Sequence, residues 1–226
     1  MGLQEWLDEH GRQLARRTGV VRLLRGLRLR GEQLLHPIHR RRALRRLRER
    51  GPFGSVVFVC HGNIYRSPYA EYLFRKLLHA DVAETLQVSS AGFVGPGRSS
   101  PEAAMTLASS RGIDLGAHRS SRITADRIHA DTLVVVMETR QERMIRGITP
   151  RGEVLVLGDL DPQPGPRTIQ DPWSESDDVL RSTYDRVERC VRVLVDVLSG
   201  SGRSLSQRVR FPAPGRLEGR RVGDSA

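Results

Sequence analysis

Two residues six positions apart, Cys60 and Arg66, form a pair able to do covalent chemistry on an anion. A thiolate is a strong nucleophile, and a guanidinium grips two phosphate oxygens bidentately, which an ammonium cannot. The full string is Cys60-His61-Gly62-Asn63-Ile64-Tyr65-Arg66-Ser67-Pro68. Gly62 permits close backbone approach, Asn63 tolerates left-handed geometry, and Ser67-Pro68 is a good helix start. A phosphoester dianion needs many donors and a positive field, and the amides at a helix N-terminus supply both. The same field favours a thiolate at Cys60, and Ser67 can donate its hydroxyl to the sulfur. The second cysteine, Cys190, is a useful contrast. Its sixth following residue is Asp196 and it sits on an apolar stripe, so it reads as packing.

These residues need a frame. Val56-Val57-Phe58-Val59 is a continuous apolar run ending at Cys60, the pattern of a strand buried on both faces. After the loop His61–Tyr65, residues Ala70, Leu73, Phe74, Leu77 and Leu78 recur at helical spacing. Further strands are expected at Leu86–Ser90, Thr132–Met137 and Val154–Leu157. Helices are expected over Pro101–Arg111, near Gln141–Ile145, and over Asp177–Ser199. A long loop with Pro and Gly spans Gly158 to about Glu175. Alternating strands and helices predict an α/β fold: a three-layer sandwich with a four-stranded parallel sheet between helices. The ligand site belongs at the carboxyl edge of that sheet.

The charge is unevenly placed. Residues 1–52 hold 14 Arg and 5 acidic residues, a net of +9. Residues 53–200 hold 17 basic and 19 acidic residues, net −2, and residues 201–226 hold 6 basic and 2 acidic, net +4. The formal +11 therefore lives in two arms around a near-neutral domain, which argues against a fold that reads nucleic acid. The expected division is a basic Arg/Leu-rich arm over 1–52, a catalytic domain over 53–200 and a disordered basic tail over 201–226. Within the arm, short helical patterns are expected, broken at Gly11, Gly19, Gly26, Gly31 and Pro37. Two cysteines make neither a disulfide framework nor a structural zinc site, and no metal or organic cofactor is implied. No apolar run approaches the roughly 18 residues of a membrane span, and Trp6 spoils a Met1-Gly2 myristoylation start. The expectation is a soluble cytoplasmic protein.

The string Cys60–Pro68 resembles the active-site loop of the low-molecular-weight protein tyrosine phosphatases, bacterial members especially. The likeness covers about residues 54–199, including Ser89-Ser90-Ala91-Gly92, Gly116-Ala117-His118-Arg119, Val135-Val136-Met137-Glu138 and Asp171-Pro172-Trp173. It implies hydrolysis of protein phosphotyrosine through a phosphocysteine on Cys60, with Arg66 on the phosphate and Asp171 as general acid. It places His61, Gly62, Asn63, Ile64, Tyr65 and Ser67 around the phosphate, with Ser90 and His118 holding Asn63 in a polar network. Trp173 is then a wall for the substrate ring. The implied partner is a phosphotyrosine protein, a tyrosine autokinase among the candidates. Two departures stand out. Tyr65 replaces the family's second loop cysteine, removing a protective disulfide with the nucleophile. Ser121 stands where an Arg is usual.

Three other readings compete. An arsenate reductase on this fold relays oxidation through further cysteines, which Cys190 alone does not supply. A protein arginine phosphatase typically carries Thr where this chain has Ile64. A binding protein with a vestigial loop would not need Cys60, Arg66, Ser67 and Asp171 together. The arm admits a solvated charge run, a misassigned start, or peripheral contact with an anionic membrane.

Overall fold

The run Ser55–Cys60 forms strand β1, and it lies in the middle of the sheet. In this computed structural model the described residues are 19–206, with side chains described over 31–80 and 82–200. Strand β2 (Gln87–Gly92) pairs with one edge of β1, β3 (Thr132–Val136) with the other, and β4 (Glu153–Val156) lies outside β3. All three pairings are parallel, as the alternation of elements predicts. Successive side chains of β1 serve opposite faces. Val56, Phe58 and Cys60 join the larger core, while Val57 and Val59 join a smaller one with Ile123, Ile128 and Ile145.

Helix α1 is Gly19–Arg50, α2 Arg66–Leu77, α3 the short Ala80–Ala83, α4 Glu102–Ser110, α5 Thr139–Ile148 and α6 Asp177–Ser206. Short 3-10 turns occupy Ala125–Arg127 and Leu157–Leu160. The larger core draws on α1, α2, α4 and α6, and Ile145 of α5 covers the other face. Cys190 is fully buried on the inner stripe of α6, with burial pushing its thiol up.

The structure departs from the sequence pattern at both flanks. Residues 19–50 form one continuous helix of 32 residues through Gly26, Gly31 and Pro37, not short pieces. Its second half is docked on the domain, with His36, Ala43 and Leu47 buried. Pro37 is exposed, so the carbonyl deprived of its N–H partner lies on the solvent side, and burial of Ala43 and Leu47 offsets the local penalty. At the other end α6 continues to Ser206, past the expected boundary at 200, because propagating a formed helix costs little even at Gly. The disorder expected beyond Ser206, and Gly11 and Trp6 in the arm, lie outside the described residues.

Candidate active site

The strand-to-helix loop after β1 does what its composition suggests. Cys60 ends β1 opposite Gly92 of β2, and Arg66 opens α2. Asn63 sits at φ 52°, the left-handed region that Asn tolerates. Its backbone N–H donates to Cys60 Sγ at 3.2 Å, and Ser67 Oγ donates to the same sulfur at 3.1 Å. The sulfur is thus met by two donors, the surroundings of an anion.

Asn63 is tied down on every side. Its Nδ2 donates to Ser67 Oγ (2.9 Å) and Ser90 Oγ (2.8 Å), and its Oδ1 accepts from the Ser121 amide (2.8 Å). Its carbonyl meets His118 Nε2 at 2.7 Å. Asn63, Ser67, Ser90 and His118 are all buried, so these bonds form out of water, where leaving a polar group unpaired is costly. The structure therefore brings together Asn63, Ser90 and His118, the three residues that the resemblance grouped, and adds Ser67 to them.

Arg66 is fully buried, and its guanidinium is held by three acceptors. Nη1 donates to Glu138 Oε1 at 2.8 Å and to the Ile169 carbonyl at 2.9 Å, and Nη2 pairs with the Asp171 carboxylate. Its Nε is buried with no acceptor among the described residues, a donor that an oxyanion in the loop would take. Asp171 also accepts the Trp173 amide at 3.3 Å, an Asp-Pro-Trp turn closed by its own carboxylate.

Cys60, His61, Gly62, Ile64, Tyr65 and Asp171 line one cavity of about 510 Å³, with Trp173 and Arg98 on its rim. Cys60 is only 2% exposed yet reaches this cavity, so the sulfur is not sealed in the core. Trp173 is 58% exposed and stands edge-on to Tyr65, with ring centroids 6.3 Å apart. Burial and the nearby Asp171 push the Tyr65 hydroxyl above its ordinary range, so Tyr65 is a neutral aromatic wall. Below it the rings of Tyr69 and Tyr184 stack at 3.8 Å, and Tyr184 donates to the Tyr65 carbonyl at 3.4 Å. Ile64 is buried. His61 is exposed, its backbone carbonyl accepting the Phe93 amide, with no described bond from its ring.

Three contributors had no role in the sequence reading, two of them, Glu138 and Gly92, within fragments that carry the family likeness. Glu138, two residues past β3 at the N-cap of α5, carries the charge that holds Arg66, while Gln141 of α5 donates to it at 2.9 Å. An acidic residue at the carboxyl end of a buried strand was the available signal. Arg98 donates to the Gly62 carbonyl at 2.9 Å, gripping the loop from outside. Gly92 admits the loop at close range: a Cβ there would lie 2.8 Å from the His61 carbonyl and 2.9 Å from the Asn63 amide. Ser121, where an Arg was usual, uses its amide on Asn63 and its hydroxyl on the Ser90 carbonyl at 2.9 Å.

Residues 55–205 match the family described as low molecular weight phosphotyrosine protein phosphatase. The chain is 32% identical over 140 residues to the low molecular weight protein-tyrosine-phosphatase Etp of Escherichia coli strain K12, covering 61% of this chain and 89% of that protein. The crystal structure of the Erwinia amylovora tyrosine phosphatase AmsI superposes with a TM-score of 0.58 at 30% identity, over 66% of this chain and 95% of that one. The YwlE arginine phosphatase of Geobacillus stearothermophilus superposes at 0.59 with 27% identity, over 71% and 100%.

Proposed function

This chain belongs to the low-molecular-weight phosphotyrosine protein phosphatase family, and on that premise we propose that it hydrolyses phosphotyrosine in proteins by covalent catalysis at Cys60. The observation that carries this reading is that a sulfur met by two donors and the Asp171 carboxylate line one cavity, with the buried Arg66 guanidinium paired to that carboxylate behind it. The catalytic unit is the domain expected over 53–200, with α6 carrying its last helix on to Ser206.

The phosphate dianion takes the Arg66 donors and the loop amides, replacing Asp171 on Nη2. Held by Glu138 and the Ile169 carbonyl, the guanidinium keeps its orientation during this exchange. The Cys60 thiolate attacks phosphorus, forming an S–P bond as the P–O bond to the tyrosine breaks. Asp171 gives its proton to the departing phenolate oxygen. The Asp171 carboxylate then takes a proton from water as that water attacks the phosphocysteine, releasing phosphate and restoring the thiolate. Ser67 Oγ donates to the leaving sulfur, and Arg66 with the amides stabilises the equatorial oxygens throughout.

The apolar Ile64 and the Tyr65–Trp173 pair favour an aromatic leaving group over phosphoarginine. The two cysteines are free thiols and Cys190 is fully buried, which leaves no relay for an arsenate reductase. Among the described residues no helix is long and apolar enough to cross a membrane, and we place the enzyme in the cytoplasm with a tyrosine autokinase among its substrates. The test is turnover of para-nitrophenyl phosphate and of phosphotyrosine and phosphoarginine peptides. Cys60→Ser should be inactive and Asp171→Ala slower by about 10²- to 10⁴-fold. A wild type no faster than Cys60→Ser would leave only a binding protein.

A further inference from the structure

Helix α1 has two unlike sides. Towards the domain it buries His36, Ala43 and Leu47. At about 100° per residue, Leu34, Ile38, Arg41, Arg45 and Arg48 fall together on the opposite side, flanked by Leu35 and Arg42. Leu34 is 79% exposed, and Leu35 and Ile38 are exposed by about half. They make up half of the exposed large hydrophobic side chains among the described residues, gathered within five positions. The four Arg residues are exposed as well, and Arg45 pairs with the exposed Glu49 at 3.7 Å.

We propose that this face docks the enzyme on an anionic bilayer, with Leu34, Leu35 and Ile38 entering the acyl boundary and the arginines resting on lipid phosphates. A nucleic acid would use the arginines and leave the apolar residues in water. A second copy would set one arginine row against another. A negatively charged lipid surface satisfies both halves of the face, and each guanidinium near it raises binding by about fivefold.

The docking also sets where the enzyme works. Arg46 contacts Glu153 and the Val154 carbonyl, at the start of β4. His36 lies within electrostatic reach of Asp161 and Asp159, beyond the end of β4. Helix α1 therefore runs antiparallel to β4, and its mid-helix apolar stretch, residues 34–38, lies towards the carboxyl edge of the sheet, the edge that carries the Cys60 loop. A bound enzyme meets phosphotyrosines held close to the membrane; this corollary alone rests on the phosphatase reading.

The test is sedimentation of the full chain with phosphatidylcholine vesicles, with and without phosphatidylserine. Wild type should bind the anionic vesicles, and Leu34→Ser/Leu35→Ser/Ile38→Ser should lose about tenfold or more in partition. Arg41→Gln/Arg42→Gln/Arg45→Gln/Arg48→Gln should lose at least as much, and both variants should keep wild-type circular dichroism and para-nitrophenyl phosphate turnover. Equal binding to neutral and anionic vesicles would overturn the proposal, as would an apolar variant that binds like wild type. So would a DNA duplex that displaces the vesicles and binds the apolar variant undiminished. Inactivity of the wild type would defeat the phosphatase reading and leave the vesicle result standing.

Discussion

Asn63→Ala tests whether the loop is held in shape before any ligand arrives. The substitution removes three side-chain hydrogen bonds, to Ser67 Oγ, Ser90 Oγ and the Ser121 amide, all at 2.8–2.9 Å. Buried bonds of this kind contribute about 1 kcal/mol each, hence roughly 3 kcal/mol together. Alanine must also adopt φ near +52°, which costs about 1 kcal/mol more than for a residue at ease there. The expected loss is roughly 4 kcal/mol, against roughly 3 kcal/mol for Asn63→Gly, which escapes the backbone cost. Urea unfolding followed by circular dichroism reads both differences, and inorganic phosphate titrated against thermal unfolding reads the loop. Phosphate should stabilise wild type and stabilise both variants less, because part of its binding energy then goes into ordering the loop. An alanine variant within about 1 kcal/mol of wild type would refute the reasoning. So would a glycine variant no better than alanine, or undiminished phosphate protection.

Gly92→Ala should lower kcat/KM by about tenfold or more with the fold intact, because its Cβ would press on the Asn63 amide that donates to Cys60 Sγ; wild-type activity would show that the strand yields instead. The Gly62–Asn63 peptide accepts from Arg98 at its carbonyl and donates to Cys60 Sγ at its amide, so Arg98→Met should slow iodoacetamide alkylation of Cys60 at pH 6 by about fivefold. Arg98→Lys should recover part of that rate, and an unchanged rate in Arg98→Met would remove Arg98 as a positioning residue. Burial opposes the charge of Glu188, but hydrogen bonds from Tyr69 and Arg111 outweigh it and hold the carboxyl below its ordinary 4.5. A lowered folded value gives stability present above about pH 4.5 and lost as pH falls through it. Thermal unfolding against pH should therefore show an acid limb that Glu188→Gln flattens; an identical limb in the variant would count against this linkage.

The nucleophile, its arginine and the strand and helix that carry them were legible in the sequence because every determinant is local. An apolar run, a loop tolerant of left-handed geometry and a helix start follow one another within fourteen residues, from Ser55 to Pro68. Cys190 as packing was legible for the same reason, since its stripe is periodic within one helix. The α/β class and the parallel sheet followed from alternation, although strand ends moved by one or two residues, as for β2, which ends at Gly92 and not Ser90.

Partners distant along the chain were not legible from spacing. Asp171 lies 105 residues from Arg66, and only likeness to a family singled it out before the structure set the two side by side. Arg98 stands in no motif, and Glu138 and Gly92 stand in family-like fragments that gave them no role; all three matter for what faces them across the sheet edge, and that is a property of packing. Helix α1 shows the reverse error, in which the local rule for Pro37 pointed to a break. Burial of Ala43 and Leu47 on a core built from other elements outweighed that preference. Sequence alone determines what covalent neighbours dictate to one another, which here meant the reactive loop. Tertiary structure decided which charges meet, because Coulomb and hydrogen-bond energies depend on separation in space and not along the chain.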